Sequence, residues 1–215
     1  MTTSSSELLD LTGKVAIVTG GSRGIGRSIA KTFAVHGAEV VITSRKLDSC
    51  RDTVEEIIEA GGTAHPIAAH MGNLDDIEEL VLATHKVFGG IDIIVNNAAN
   101  PLMKGVGEIT PEAWEKAINT NLRGPVFLVQ HALPYLEKST GASIINILSN
   151  AAYMYAAHHL LYPVAKSGLE AATRSMAAQL ASSGIRVNAL VPGTVDTDMV
   201  RAMPETFQKA SAKAS

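Results

Sequence analysis

Five short runs rich in β-branched residues recur along the chain: KVAIVT (14–19), EVVIT (39–43), IDIIV (91–95), SIINIL (143–148) and IRVNALV (185–191). A weaker run, TAHPIA (63–68), carries a proline and reads as a short or peripheral strand. Stretches of helical period lie between them, at 24–36, 47–60, 74–88, 111–137 and about 160–183. Runs that are apolar almost throughout suit strands covered on both faces, as in a parallel sheet. Strand–helix alternation then gives right-handed crossovers. The expected architecture is α/β, a doubly wound parallel sheet with helices on both faces. Gly37 and Gly61-Gly62 close helices, and Thr110-Pro111-Glu112 opens one with a cap, a first-turn proline and an acid.

No linker, repeat or low-complexity segment divides the 215 residues. The expected division is a flexible tail over 1–10, one domain over 11–200, and a small polar tail over 201–215. MTTSSSELLD is polar, without the apolar centre of a secretory signal. No apolar run approaches the roughly 20 residues that span a bilayer. A net charge of -3 provides no positive field for nucleic acid or an anionic membrane. Cys50 is the only cysteine, so no disulfide can form within the chain, and a reducing, cytoplasmic compartment is expected. His158-His159 is the one close histidine pair and has no Cys, Asp or Glu at ligand spacing beside it; no metal site is expected.

The turn after the first run reads TGGSRGIG (19–26). Glycines between a strand and a helix let backbone amides close on a pyrophosphate at the helix N-terminus. Gly20 permits the tight turn, Gly24 the close approach and Gly26 the packing of helix on strand, with Ser22, Arg23 and Ile25 between them. The second run ends Thr43-Ser44-Arg45-Lys46, with no acid to bind a ribose 2′-hydroxyl. Arginine forks match phosphate oxygens, so Arg23, Ser44 and Arg45 favour the 2′-phosphate of NADP(H) over NAD(H).

YPVAKSG (162–168) sets Tyr162 one helical turn before Lys166, on the same face. Alone, that spacing describes a tuned acid or an exposed tyrosine followed by a solvated lysine. Ser149 ends a strand, where serine is commonly a cap or turn residue. Asn121 lies in the long helical stretch beside Gly124-Pro125, where an asparagine can simply accompany a kink.

Together these segments resemble the short-chain dehydrogenase/reductase family of single-domain type. TGGSRGIG resembles its cofactor loop, NNAA (96–99) its NNAG with Ala99 in place of glycine, and NLRG (121–124) the segment carrying its active-site asparagine. Ser149 stands thirteen residues before Tyr162, the family spacing; YPVAK is its YxxxK, and PGTVDT (192–197) is similar to its PGxxxT. SRK, HMG (70–72) and NNAANP (96–101) resemble NADPH-dependent carbonyl and retinal reductases. The resemblance implies a Rossmann-like sheet and hydride transfer between NADP(H) and a carbonyl or alcohol. Tyr162 would be the acid/base, tuned by Lys166, with Ser149 on the substrate oxygen and Asn121 helping to hold a relay water. Lys166 would also hold the nicotinamide ribose. The implied cofactor contacts further include His70, Met71, Asn97, Ala98, Pro192, Gly193, Val195 and Thr197. His70 stands where many members place an aspartate touching adenine. A segment over 150–161, with Tyr153, Tyr155, His158 and His159, would line the substrate mouth. Helices 111–137 and 160–183 would pair subunits into a homodimer or homotetramer.

Members usually continue from PGxxxT to another helix and a final strand, whereas this chain reaches Ser215 without one. The expectation is a missing last strand that leaves IRVNALV as an open edge. A catalytically silent dinucleotide-binding or scaffold protein is therefore the alternative.

Overall fold

The computed structural model describes residues 9–154 and 160–202. Most of both expected tails, together with Tyr155, His158 and His159, lies outside the described residues. Six strands, β1 (Val15–Thr19), β2 (Glu39–Ser44), β3 (Thr63–Ala68), β4 (Ile93–Asn96), β5 (Ser143–Ile147) and β6 (Arg186–Leu190), form one sheet in the order β3-β2-β1-β4-β5-β6. Every pairing is parallel. β3 is an edge, where the missing amide of Pro66 removes a donor from only one ladder.

Alternate side chains of each strand enter two cores. Ile17, Val41, Ile94, Ile144 and Val187 point to one face. There they meet Ile77, Leu80 and Val81 of α3 (Leu74–Phe88), and Leu128, Ala132 and Leu136 of the helix Gly124–Leu136. Ala16, Val18, Val40, Ile42 and Val95 point to the other. They pack with Ala30 and Ala34 of α1 (Gly24–Val35), and Cys50, Val54 and Ile57 of α2 (Leu47–Glu59). That second covering reaches only half the sheet. Over β4 to β6 an open groove of about 430 Å³ is lined by Leu11, Phe33, Ile93, Ile145, Asn188 and Leu190, among others. β6 is the outer strand of the described sheet.

The stretch 111–137 is not one regular helix. α4 (Pro111–Ile118) runs into a π-turn over Asn119–Arg123 and then α5 (Gly124–Leu136). Pro125 explains the interruption: it has no N–H for the carbonyl of Asn121, four residues earlier, and its ring crowds the preceding turn. α6 (Leu161–Leu180) follows, and a short α7 (Asp198–Arg201) ends the described chain. Among the described residues no helix is long and apolar enough to cross a membrane.

Candidate active site

The strand order reverses between β1 and β4, which leaves a crevice at the carboxyl edge of the sheet. The glycine turn enters it from β1. Gly20 (φ 65°) and Gly24 (φ 53°) take left-handed backbone that side chains avoid. A Cβ on Gly26 would overlap both the Asn97 side-chain nitrogen and the Gly20 carbonyl. Arg23 caps α1 without a side-chain hydrogen bond, and no acid occupies its first turn. The first amides of that helix are thus left for an external anion. Asn97 and Ala98 are fixed beside the turn: both amides donate to Thr19 Oγ1, at 2.9 and 3.0 Å, while Asn97 Nδ2 donates to the Thr19 carbonyl at 2.8 Å. From the far side, Thr197 Cγ2 lies 3.2 Å from where a Gly24 Cβ would stand, so the loop 192–197 crosses back over the turn.

On the β2 side, Ser44 leaves the strand with its hydroxyl shared between the Lys46 carbonyl (3.2 Å) and Cys50 Sγ (3.1 Å). Burial pushes the Cys50 thiol up, away from the reactive thiolate. Arg23, Arg45 and Lys46 are exposed, and none of their side chains has a hydrogen-bond or ion-pair partner among the described residues. Such unpaired cations suit a phosphate. Met71 differs from a simple contact residue: its side chain is buried in the core.

On the β5 side, the Tyr162 phenol lies near enough to Ser149 for the serine to favour its ionised form, while Ser149 Oγ donates to Asn150 Oδ1 at 3.3 Å and accepts the Ala151 amide at 3.2 Å. Lys166 is 1% exposed, and its Nζ donates to the Ile147 carbonyl at 2.6 Å, 5.7 Å from the centre of the Tyr162 ring. Burial lowers the Lys166 ammonium to about 8. Burial also raises the Tyr162 phenol, a rise that the nearby Ser149 hydroxyl only offsets in part. In this state the lysine is committed to the strand carbonyl, and its ammonium does not bring the phenol down. Pro192 accepts the Asn150 amide at 3.3 Å, which joins the loop 192–197 to the same end of β5.

Asn121 is fully buried, and both ends of its amide meet the same partner. Oδ1 accepts the Asn100 amide at 2.7 Å, and Nδ2 donates to the Asn100 carbonyl at 2.9 Å. The side chain clamps the segment after β4 and has little capacity left for a water. Its main-chain carbonyl, deprived by Pro125 of the α-helical donor, is the better candidate for one. Gly193 and Val195 are exposed, as is Tyr153 at the expected mouth.

Three features escaped the sequence reading. Asn96 Nδ2 donates to Asn146 Oδ1 (2.8 Å), whose own amide donates to Thr173 Oγ1 (2.8 Å), a buried ladder from β4 through β5 to α6. Arg123 donates to the Gly72 carbonyl at 2.9 Å, tying the π-turn to the loop after β3. Thr19 organises Asn97 and Ala98. The signal for the ladder was a lone Asn146 inside the apolar run SIINIL.

Residues 14–208 match the family model described as short chain dehydrogenase. The human protein named Dehydrogenase/reductase SDR family member 4 is 36% identical over 192 residues, which cover 89% of this chain and 69% of that one. A crystal structure of a dehydrogenase/reductase from Sinorhizobium meliloti 1021 superposes with a TM-score of 0.90 at 35% identity, over 95% of this chain and 81% of that one. A metagenomic short-chain oxidoreductase in complex with NADP gives 0.82 at 32% identity, over 95% and 90%. With its glycine turn, its parallel sheet and these likenesses, the chain belongs to the short-chain dehydrogenase/reductase family of oxidoreductases.

Proposed function

We propose that the chain reduces a carbonyl, or oxidises the corresponding alcohol, with NADP(H), and that Tyr162 carries the proton. The observation that carries this reading is the Ser149–Tyr162–Lys166 cluster, at the carboxyl edge of β5, with only β4 between it and the strand that leads into the glycine turn. The crevice fits a dinucleotide: the turn leaves no room for side chains, the helix amides are uncapped, and three unpaired cations flank it. Gly20, Ser22, Arg23, Gly24, Ile25 and Gly26 would hold the pyrophosphate, and Ser44 and Arg45 the 2′-phosphate. His70 and Met71 would border the base. Asn97, Ala98, Lys166, Pro192, Gly193, Val195 and Thr197 would surround the nicotinamide end. The bound cofactor supplies or takes up the hydride.

The chain's own residues then handle charge and proton. Ser149 donates to the substrate oxygen and stabilises the charge that develops there. Tyr162 gives that oxygen its proton, or takes it in the reverse direction. The burial-raised phenol is a poor acid until a cation approaches. Releasing the Lys166 ammonium from the Ile147 carbonyl toward the phenol would supply that cation; a three-unit drop in phenol pKa corresponds to about 4 kcal/mol. Asn121 keeps the segment after β4 in place through Asn100.

The metagenomic relative crystallised with NADP agrees with this cofactor choice. The carbonyl-reductase character, a cytoplasmic setting and a homodimer or homotetramer built on α4–α5 and α6 belong to the same proposal. Among the described residues, the outer position of β6 and the groove beside it favour one rival, a protein that binds the dinucleotide without turnover. The test is a panel of ketones and aldehydes, followed by loss of reduced-nicotinamide absorbance. Turnover that Tyr162→Phe abolishes supports the enzyme; NADPH binding with no turnover on any carbonyl supports the rival.

A further inference from the structure

Tyr162, Lys166, Leu169 and Thr173 lie on one face of α6, and the last three are buried. Among the described residues, two side-chain hydrogen bonds join that face to the strands, and both end on β5. Lys166 Nζ donates to the Ile147 carbonyl at 2.6 Å, and Asn146 Nδ2 donates to Thr173 Oγ1 at 2.8 Å. Two consecutive strand residues thus hold the helix at points seven residues apart, about 10.5 Å along its axis. Ser167 Oγ also donates, at 3.0 Å, but to the Ala152 carbonyl in the turn after Ser149 rather than to a strand.

The two strand ties differ in kind. Turnover as proposed above draws the Lys166 ammonium from Ile147 toward the phenol, so that tie is released. The other has no such freedom. The Thr173 hydroxyl uses its one proton on the Leu169 carbonyl at 2.7 Å, so toward the sheet it only accepts. Asn146 meets it with Nδ2, and Asn146 Oδ1 accepts Asn96 Nδ2 at 2.8 Å from the paired position on β4. Thr173, Asn146 and Asn96 are all buried, so water does not compete for these bonds. We infer that Thr173 and Asn146 are positioning residues: they fix the axial height of α6 on β5, and with it the placement of Tyr162 against Ser149, while Lys166 changes partner. The inference rests on the Tyr162–Lys166 reading of the site.

Thr173→Val keeps the shape of the side chain and removes its hydroxyl. Misplacing a reacting group by about 1 Å costs roughly a hundredfold in rate, so a smaller offset of the helix should lower kcat by about tenfold. KM for a carbonyl substrate and NADPH affinity should stay within about threefold of wild type. Thr173→Ser restores the acceptor and should return kcat to within about threefold. The double variant Asn146→Leu/Thr173→Val separates positioning from stability. Both buried partners are then gone, and Asn96 Nδ2 keeps the Pro125 carbonyl at 3.4 Å, so the denaturation midpoint lost in Thr173→Val is largely recovered. No directional tie to the strand remains, so kcat should stay low. Recovery of kcat along with stability in the double variant would show a merely structural role and overturn the inference, as would a wild-type kcat in Thr173→Val. Should Thr173→Val not fold, the double variant and Thr173→Ser carry the comparison. A wild type that reduces no carbonyl, or whose turnover survives Tyr162→Phe, would instead overturn the reading of the site, and this inference with it.

Discussion

Lys166 and Ile147 share a hydrogen bond of 2.6 Å, from a buried ammonium to a strand carbonyl, and it holds the lysine away from the tyrosine one turn before it. Among the described residues the ammonium has one hydrogen-bond partner and no carboxylate, so its burial is a standing strain on the fold.

That strain sets a pH signature. The Lys166 ammonium falls from 10.5 to about 8 on folding, because burial disfavours the charged form. Its favourable contribution is complete above 10.5 and is lost as the pH falls through 8. Lys166→Met is therefore expected to be more stable than wild type at pH 7, by up to roughly 3 kcal/mol before the lost hydrogen bond is subtracted. The gap should narrow as pH rises from 8. Chemical denaturation of both proteins from pH 7 to 9 measures it, and a constant gap would contradict the assignment.

Tyr162→Phe removes only a hydroxyl. Thermal stability and NADPH binding should stay near wild type while carbonyl reduction falls by a factor of about 100 or more. Steady-state rates beside a fluorescence titration separate the two; a merely weakened KM would place the proton elsewhere.

Arg45→Asp puts an acid where a 2′-phosphate is expected. The NADPH-to-NADH affinity ratio should invert, since the carboxylate repels the phosphate and accepts from a free ribose hydroxyl. An unchanged ratio would show that Arg45 does not reach it.

Asn121→Ala strips the Asn100 amide and carbonyl of both partners. A loss of about 1–3 kcal/mol is expected, with faster hydrogen exchange at the Asn100 amide. Unaltered exchange would mean that the clamp is not what orders this segment.

The strand–helix alternation was legible because fully covered parallel strands are apolar throughout, and even Pro66 pointed correctly to an edge. The glycine turn was legible because only glycine fits its backbone. Ser149, Tyr162 and Lys166 were legible as a motif, and their gathering around the end of β5 follows from strand and helix phase. Lys166's partner was not readable, since a carbonyl of Ile147 is the same atom in any residue. The π-turn hid inside a helical period that it disturbs by one residue, although Pro125 was the warning. Asn121 was read as a residue near the chemistry; which atoms it touches depends on where the chain after β4 returns, and spacing does not encode that.

The ladder from Asn96 through Asn146 to Thr173 couples two central strands to α6 less than two turns beyond Lys166. Apolar contacts would let that helix slide, because they have no preferred register. Two directional links do not, so the phenol's distance from the sheet is geared to the strands themselves, and mobility at the pocket must come from the surrounding loops.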